Sequence, residues 1–470
     1  MRICIIAEGS YPYTLGGVAG WVHNLIASMP EHEFVIYAIC ATEKMKKNYY
    51  YQLPENVVGI EEVSLDTFIS EKTKWGKRYK LTHEESFSIR SILDSKLANW
   101  EKVFSLFTSG KIDSVTNFLT SKDFFDILKQ ICLENYVYTP FTTMYWTLRS
   151  MVLSLFICIN HKAPKADLYH SVSAGYAGVV GSIATYQYNK PYILTEHGIY
   201  SREREEEIIK ANWVKGQFKD IWIQYFYNMS SCAYTFASEI VTLYKRNQEV
   251  QKELGCSPDK MSIIPNGVSL EEFQDLPQAI DKGNDEIFIG AIVRVTPIKD
   301  IKTLLQSFSI VKRKRSNTKF FIMGPVDEDK DYYQECLKLM ETLALEDVTF
   351  TGPVNIKKYI QSMDVLVLSS ISEAQPLAIL EGLACRIPFV ATDVGACREL
   401  LTNANDTFGM AGIIVPVMHY LQMAEGILYL CENEEVRQRM GENGYQRVKK
   451  YYTKEKWIEN YRALYQKYGD

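Results

Sequence analysis

A chain of 470 residues, 47% of them hydrophobic and 23% charged, exceeds one ordinary domain and suits two α/β domains. Its net charge of −5 lacks the basic excess that replaces phosphate counterions, which sets nucleic acid aside as a partner. Ten scattered cysteines form no Cys-x2-Cys pair and no Cys/His cluster with metal-ligand spacing, so no metal site is expected and the thiols read as reduced, in a cytoplasmic protein.

The chain opens on a β-turn-α-β unit. Ile3 to Ala7 is a short buried strand, too short to be a signal peptide. A loop with Gly9, Pro12, Gly16 and Gly17 follows, then a helix from about Val18 to Met29 with Trp21, Leu25 and Met29 at helical spacing, then a strand from Phe34 to Cys40. From about residue 64 to 163 the strand signals vanish. Phe124, Leu128 and Ile131 recur at helical spacing, with Ser121 placed to cap. This stretch reads as a helical insertion. Its greasiest run, Met151 to Ile159, falls short of the roughly twenty apolar residues that span a bilayer. Strands resume at Leu168–Ser171, Tyr192–Thr195, Ile240–Leu243 and Ser262–Ile264.

After Pro265-Asn266-Gly267 and the polar stretch Asp281–Asp285, a second βα series begins at Ile287. A helix runs from Asp300 to Val311, and strands follow at Lys319–Met323, Val348–Phe350, Val365–Leu368 and Phe389–Ala391. A last helix, about Lys454 to Tyr468, carries Trp457, Tyr461 and Leu464. The expected organisation is therefore α/β: residues 1–275 a Rossmann-like domain, 276–450 a second one, and 451–470 a helix packing back toward the first.

Four groups of residues invite chemistry. Glu373 and Glu381 bracket Pro376, which suits the first turn of a helix. The N–H groups of Leu377 and Ala378 there favour a diphosphate, and a carboxylate further along can accept from two vicinal hydroxyls. Two glutamates at a fixed spacing are also common as plain surface charges. Arg294 and Lys299 end the second series' first strand; cations so placed stabilise a leaving diphosphate, or form surface ion pairs. Gly16-Gly17 lets backbone approach a ligand closely, as many tight turns do. His197 follows an apolar strand, where it reaches a substrate hydroxyl or serves as a satisfied structural histidine. All four lie at strand carboxyl ends, where doubly wound sheets bind ligands, and the expectation is a shared cleft between the domains.

Together, Glu373 with Glu381, Arg294 with Lys299, and Gly16-Gly17 resemble glycosyltransferase family 4. Glu8–Tyr13, His170–Gly178, Thr195–Glu205, Ile264–Val268 and Gly324–Asp329 sharpen the resemblance to the branch that builds the Pel exopolysaccharide. The resemblance implies a GT-B fold, two Rossmann-like domains facing a cleft, and retaining, metal-independent transfer of a hexose or N-acetylhexosamine from a UDP-sugar to a growing polysaccharide, with no cofactor. It implies that Arg294 and Lys299 hold the diphosphate, Glu381 the ribose, and Glu373 the transferred sugar or its phosphate side. His197 would lie near the sugar, Gly17 near the phosphates and acceptor, and Val354 backbone near the uracil. Membrane-embedded export and synthase subunits are the implied partners, with the chain cytoplasmic or peripheral at the membrane's inner face. Gln375-Pro376 stands where family members often have Phe-Gly. Arg386 stands where Gly usually ends the helix, which casts doubt on the turn there. An epimerase of the same fold, a phosphorylase (for which no pyridoxal lysine is designated) and a non-catalytic nucleotide-sugar-binding scaffold are the rival readings.

Overall fold

The structure, a computed structural model, describes the whole chain except residues 67–72, 95–96, 275, 277–281, 284, 403–405 and 470. It divides into two compact units: unit 1 comprises Met1–Thr242, Asn247–Ile263 and Arg462–Asp470, and unit 2 comprises Leu243–Arg246 and Ile264–Tyr461.

Unit 1 is built on seven parallel strands: β1 (Arg2–Glu8), β2 (Glu33–Cys40), β3 (Val57–Ser64), β4 (Leu168–Ser171), β5 (Tyr192–Glu196), β6 (Glu239–Thr242) and β7 (Met261–Ile263), in the order β3-β2-β1-β4-β5-β6-β7. Central strands such as β1 and β5 read as continuous apolar runs because helices cover both faces. β3 lies at the sheet edge with Glu61 and Glu62 in its length, and this polar pattern hid it from sequence reading. Between β3 and β4 come the helices His83–Leu93, Trp100–Thr108, Val115–Phe118, Lys122–Asn135 and Phe141–Asn160. Ser121 Oγ accepts from Phe124 N at 3.1 Å, as its position suggested. The apolar run Met151 to Ile159 belongs to a longer helix than expected. At 20 residues, Phe141–Asn160 meets the length and composition of a membrane span. It buries Met144, Leu148, Met151, Val152, Leu155 and Phe156 in the core of unit 1, as the central helix of a folded domain does.

Unit 2 holds six parallel strands, β8 (Ile287–Ile292), β9 (Thr318–Met323), β10 (Val348–Gly352), β11 (Val365–Leu368), β12 (Phe389–Thr392) and β13 (Gly412–Val415), ordered β10-β9-β8-β11-β12-β13. In each sheet the chain steps outward from its first strand, returns, and continues on the other side. The crevice at that reversal, β1/β4 in unit 1 and β8/β11 in unit 2, is where such folds place ligands.

Unit 2 begins earlier than the expected break at residue 275. Val268 N donates to Tyr452 O at 2.9 Å and Lys454 N to Val268 O at 3.0 Å, which ties residues 264–268 into this unit. Gly267 is required there, since a Cβ would sit 2.2 Å from Thr453 O. Residue 275 itself, and Asp281 and Asn284 of the polar stretch, lie outside the described residues. The last helix, Lys454–Gly469, is divided: residues through Tyr461 group with unit 2, and Arg462 onward with unit 1. In unit 1, Tyr465 OH lies 2.7 Å from His170 Nδ1, and Arg462 Nε donates to Glu31 at 2.6 Å.

Candidate active site

In unit 2 the loops following β8, β9 and β11 are joined by main-chain bonds. Val295 N donates to Pro325 O at 2.9 Å, and Ile371 N to Ile298 O at 2.8 Å. Ser369 Oγ donates to Lys299 O at 2.7 Å. Gly324 has φ 148°, and a Cβ on it would lie 2.1 Å from Val293 O, so only glycine lets the β9 loop pass this close to Arg294. Gly395, at φ 51°, plays the same part behind the acidic loop, where a Cβ would meet Ala374 O at 2.2 Å.

This plate brings the sequence candidates together. Lys299 Nζ donates to Glu373 Oε1 at 2.5 Å, and Ser370 Oγ donates to the same oxygen at 2.6 Å. Both side chains of the Lys299–Glu373 pair are largely buried. Arg294 Nη1 donates to both carboxylate oxygens of Glu328, at 2.6 and 2.7 Å, on the exposed rim. Glu328 is a partner that sequence reading missed: it belongs to the Gly324–Asp329 run, 34 residues from Arg294, and only the sheet order makes them neighbours.

The helix Leu377–Ala384 starts beside this pair, with Pro376 as its N-cap and not in its first turn as expected. Gln375, in place of the usual Phe, accepts from Asn266 N through Oε1 at 2.6 Å and so anchors the Pro265-Asn266-Gly267 loop. Glu381 lies just past the first turn. Burial is the leading cause that pushes its carboxyl pKa up, Lys357 opposes, and Glu272 adds to the rise. Among the described residues no hydrogen-bond donor reaches that carboxylate, which leaves it available to a ligand's hydroxyls. Val354 follows β10 at the same sheet edge, partly buried against the core.

The doubt over Arg386 resolves in favour of the ordinary turn. Arg386 takes the left-handed conformation, φ 60°, that a glycine would take. Its guanidinium lies 3.7 Å from the centre of the Tyr445 ring and its Nε donates to Glu442 at 2.9 Å, contacts that offset the backbone strain.

The remaining candidates lie in unit 1. Gly16 and Gly17 open the helix Gly17–Ala27, and among the described residues no atom lies within 4 Å of a Cβ built on either, so their backbone is open to an incoming group. His197 follows β5 with its ring edge-on to Trp21 at 4.8 Å. Burial pulls its pKa down to about 4, so it is a neutral imidazole near pH 7, and its shielded Nε2 has no hydrogen-bond partner among the described residues. His170, one strand over, is the satisfied histidine of the pair, with Nε2 2.8 Å from Thr195 Oγ1. Beneath them Glu196 is fully buried and accepts from Tyr200 N, Tyr234 OH and Gln251 Nε2 at 3.0, 2.8 and 2.8 Å. Arg204 pairs with Glu207 on its own helix at 2.7 Å.

Two Rossmann-like units, the second with paired cations and a helix N-terminus at its topological switch point, define a glycosyltransferase of GT-B type. Residues 272–447 match the family described as glycosyl transferases group 1. Residues 1–259 match the domain of unknown function DUF3492, more than half of the chain, and the chain belongs to that family. An uncharacterized glycosyltransferase of Methanocaldococcus jannaschii is 26% identical over 309 residues, covering 65% of this chain and 76% of that protein. The capsular polysaccharide biosynthesis glycosyltransferase CapM of Staphylococcus aureus is 24% identical over 307 residues, covering 62% and 74%. The solved structure of Anabaena HepE in complex with UDP shares the fold, with TM-score 0.64 and 15% identity over 99% of this chain and 100% of that one.

Proposed function

We propose that this glycosyltransferase takes a hexose or N-acetylhexosamine from a UDP-sugar and adds it, with retention and without a metal, to a growing polysaccharide of Pel type. The observation that carries the donor assignment is the grouping of Lys299, Glu373, the start of helix Leu377–Ala384 and the unengaged Glu381 on one edge of unit 2's sheet. Arg294 and Lys299 face the diphosphate, the N–H groups of Leu377 and Ala378 add the helix's positive end, and Glu381 accepts from the ribose hydroxyls. Val354 backbone is assigned to the uracil. On unit 1, His197 offers one hydrogen bond to a sugar hydroxyl, and the Gly16–Gly17 loop takes the phosphate and acceptor side.

The reaction is front-face substitution. The acceptor oxygen bonds to the anomeric carbon on the side where the carbon–phosphate-oxygen bond breaks. The acceptor proton passes to a donor phosphate oxygen, and UDP departs. Two fixed cations neutralise the charge that a divalent ion neutralises elsewhere. A capsular polysaccharide relative supports the polymeric product, and the resemblance of Glu8–Tyr13 and Thr195–Glu205 to PelF supports the Pel branch. We place the activity in the cytoplasm, beside membrane-embedded export and synthase subunits.

The test is UDP release from a panel of UDP-sugars, with and without oligosaccharide, in the presence of EDTA. Glu381→Gln is expected to raise the donor KM at least tenfold. Full activity in that variant contradicts the ribose assignment. Release that needs no acceptor and yields an epimer or free sugar contradicts the transferase reading.

A further inference from the structure

Five tyrosines and a histidine that the donor site does not use gather at the carboxyl-end edge of unit 1's sheet. The loop after β1 contributes Tyr11 and Tyr13, the segment after β2 contributes Tyr49, Tyr50 and Tyr51, and His23 projects from the helix that begins at Gly17. Tyr50 N donates to Pro12 O at 2.9 Å, which clips the two loops together. The Tyr51 ring stacks on His23 at 4.9 Å and meets Tyr11 at 5.3 Å and Tyr50 at 5.3 Å. Tyr13 lies 6.1 Å from Tyr49, and its hydroxyl donates to Glu62 at 2.8 Å. The Tyr51 hydroxyl reaches the helix after the glycine loop, 3.8 Å from where a Cβ on Gly20 would lie.

This cluster is not a core. Tyr50 is 60% exposed, and Tyr13, Tyr49 and Tyr51 are partly exposed. Packed rings with open faces, hydroxyl tips and an adjacent carboxylate suit a ligand with flat C–H faces rimmed by hydroxyls. A sugar ring has that chemistry. A polyanion does not: Glu43 pairs with Lys46 within the segment, and Glu62, on the adjoining strand β3, accepts from Lys47 N at 2.9 Å.

We propose that this tyrosine shelf binds the saccharide acceptor, with Tyr50 and Tyr51 stacking against sugar rings and Glu62 accepting from a sugar hydroxyl. The inference rests on the polysaccharide acceptor proposed above. Two measurements separate its failure from that one. The first titrates chitotetraose, cellotetraose and maltotetraose into the full chain and reads saturation-transfer NMR, which needs no turnover. At least one is expected to bind, Tyr50→Ala to weaken it about three- to tenfold, and Tyr50→Phe to keep most of it. Tyr138→Ala, an exposed tyrosine on the insertion, is the control. Binding by none of the three, or equal weakening by both alanine variants, overturns the shelf. The second follows UDP release: Tyr50→Ala is expected to raise the acceptor KM several-fold more than the donor KM, and an equal rise in both overturns the proposal. If no UDP-sugar is turned over while an oligosaccharide still binds in a Tyr50-dependent manner, the donor reading fails and the shelf stands.

Discussion

At the scale of single residues, the two cations carry the sharpest expectation. In the proposed reaction Arg294 and Lys299 meet a diphosphate whose charge grows as the glycosidic bond breaks, so their value would be larger in the transition state than in the bound donor. Arg294→Ala and Lys299→Ala should each lower kcat about a hundredfold, with a smaller change in the dissociation constant of the donor. Single-turnover kinetics beside donor titration reads both, and equal losses refute transition-state stabilisation. The residue types were legible in the sequence because the site needs them near strand ends, at fixed spacing. Glu328 was not, because its role depends on which strands neighbour β8, and a 34-residue separation carries no periodic signal. Arg386 shows the opposite error: a residue wrong for its backbone is retained because Tyr445 and Glu442 support it.

At the scale of elements, the apolar strands and the helices near Val18–Met29, Phe124–Ile131 and Asp300–Val311 followed from periodicity, while two strands did not. β3 alternates poorly because it forms an edge, and β13, only four residues long, hides between a polar loop and a proline. The helix Glu434–Tyr451 illustrates a further kind of hidden feature. It buries Arg447 almost completely, against Asp406 at 2.6 and 2.9 Å and the carbonyls of Leu400 and Gly409 at 2.9 and 2.6 Å. In the sequence it is one basic residue among several on a charged helix. Removing its counter-ion strands a buried guanidinium, so Asp406→Ala should destabilise unit 2 by about 3–5 kcal/mol, far more than breaking the exposed Arg398–Asp393 pair. Denaturant midpoints of Asp406→Ala and Asp393→Ala compare the two directly, and equal shifts contradict the argument.

At the scale of the whole molecule, opposed buried groups set how stability follows pH. Burial, with His197 adding, pulls His170 down to about 3 from 6.5. The unfolded chain then takes up a proton that the folded chain refuses, so stability falls as pH drops below about 6.5, by about 1.4 kcal/mol per unit from this group. Glu196 runs the other way. Burial raises it to about 7 from 4.5, its hydrogen bonds notwithstanding. The folded state keeps a proton that the unfolded chain releases, so this contribution is present below about pH 4.5 and is lost as pH rises toward 7. Between pH 5 and 6.5 the two cancel. Glu196→Gln should therefore steepen the acid loss of stability and His170→Gln should flatten it, read as the difference between unfolding midpoints at pH 6.5 and 5. Parallel pH profiles in both variants contradict the pairing.

Arg294 and Lys299 are each already held by an internal carboxylate, Glu328 and Glu373. An arriving donor therefore meets no bare positive field, and long-range attraction contributes little to how fast it docks. Small monovalent anions such as chloride gain nothing by entering, because one of them cannot replace two resident carboxylates. In the proposed reaction a diphosphate would take the place of both carboxylates. On that reading the resting pairs would favour doubly anionic ligands, by exchange of partners and not by raw charge.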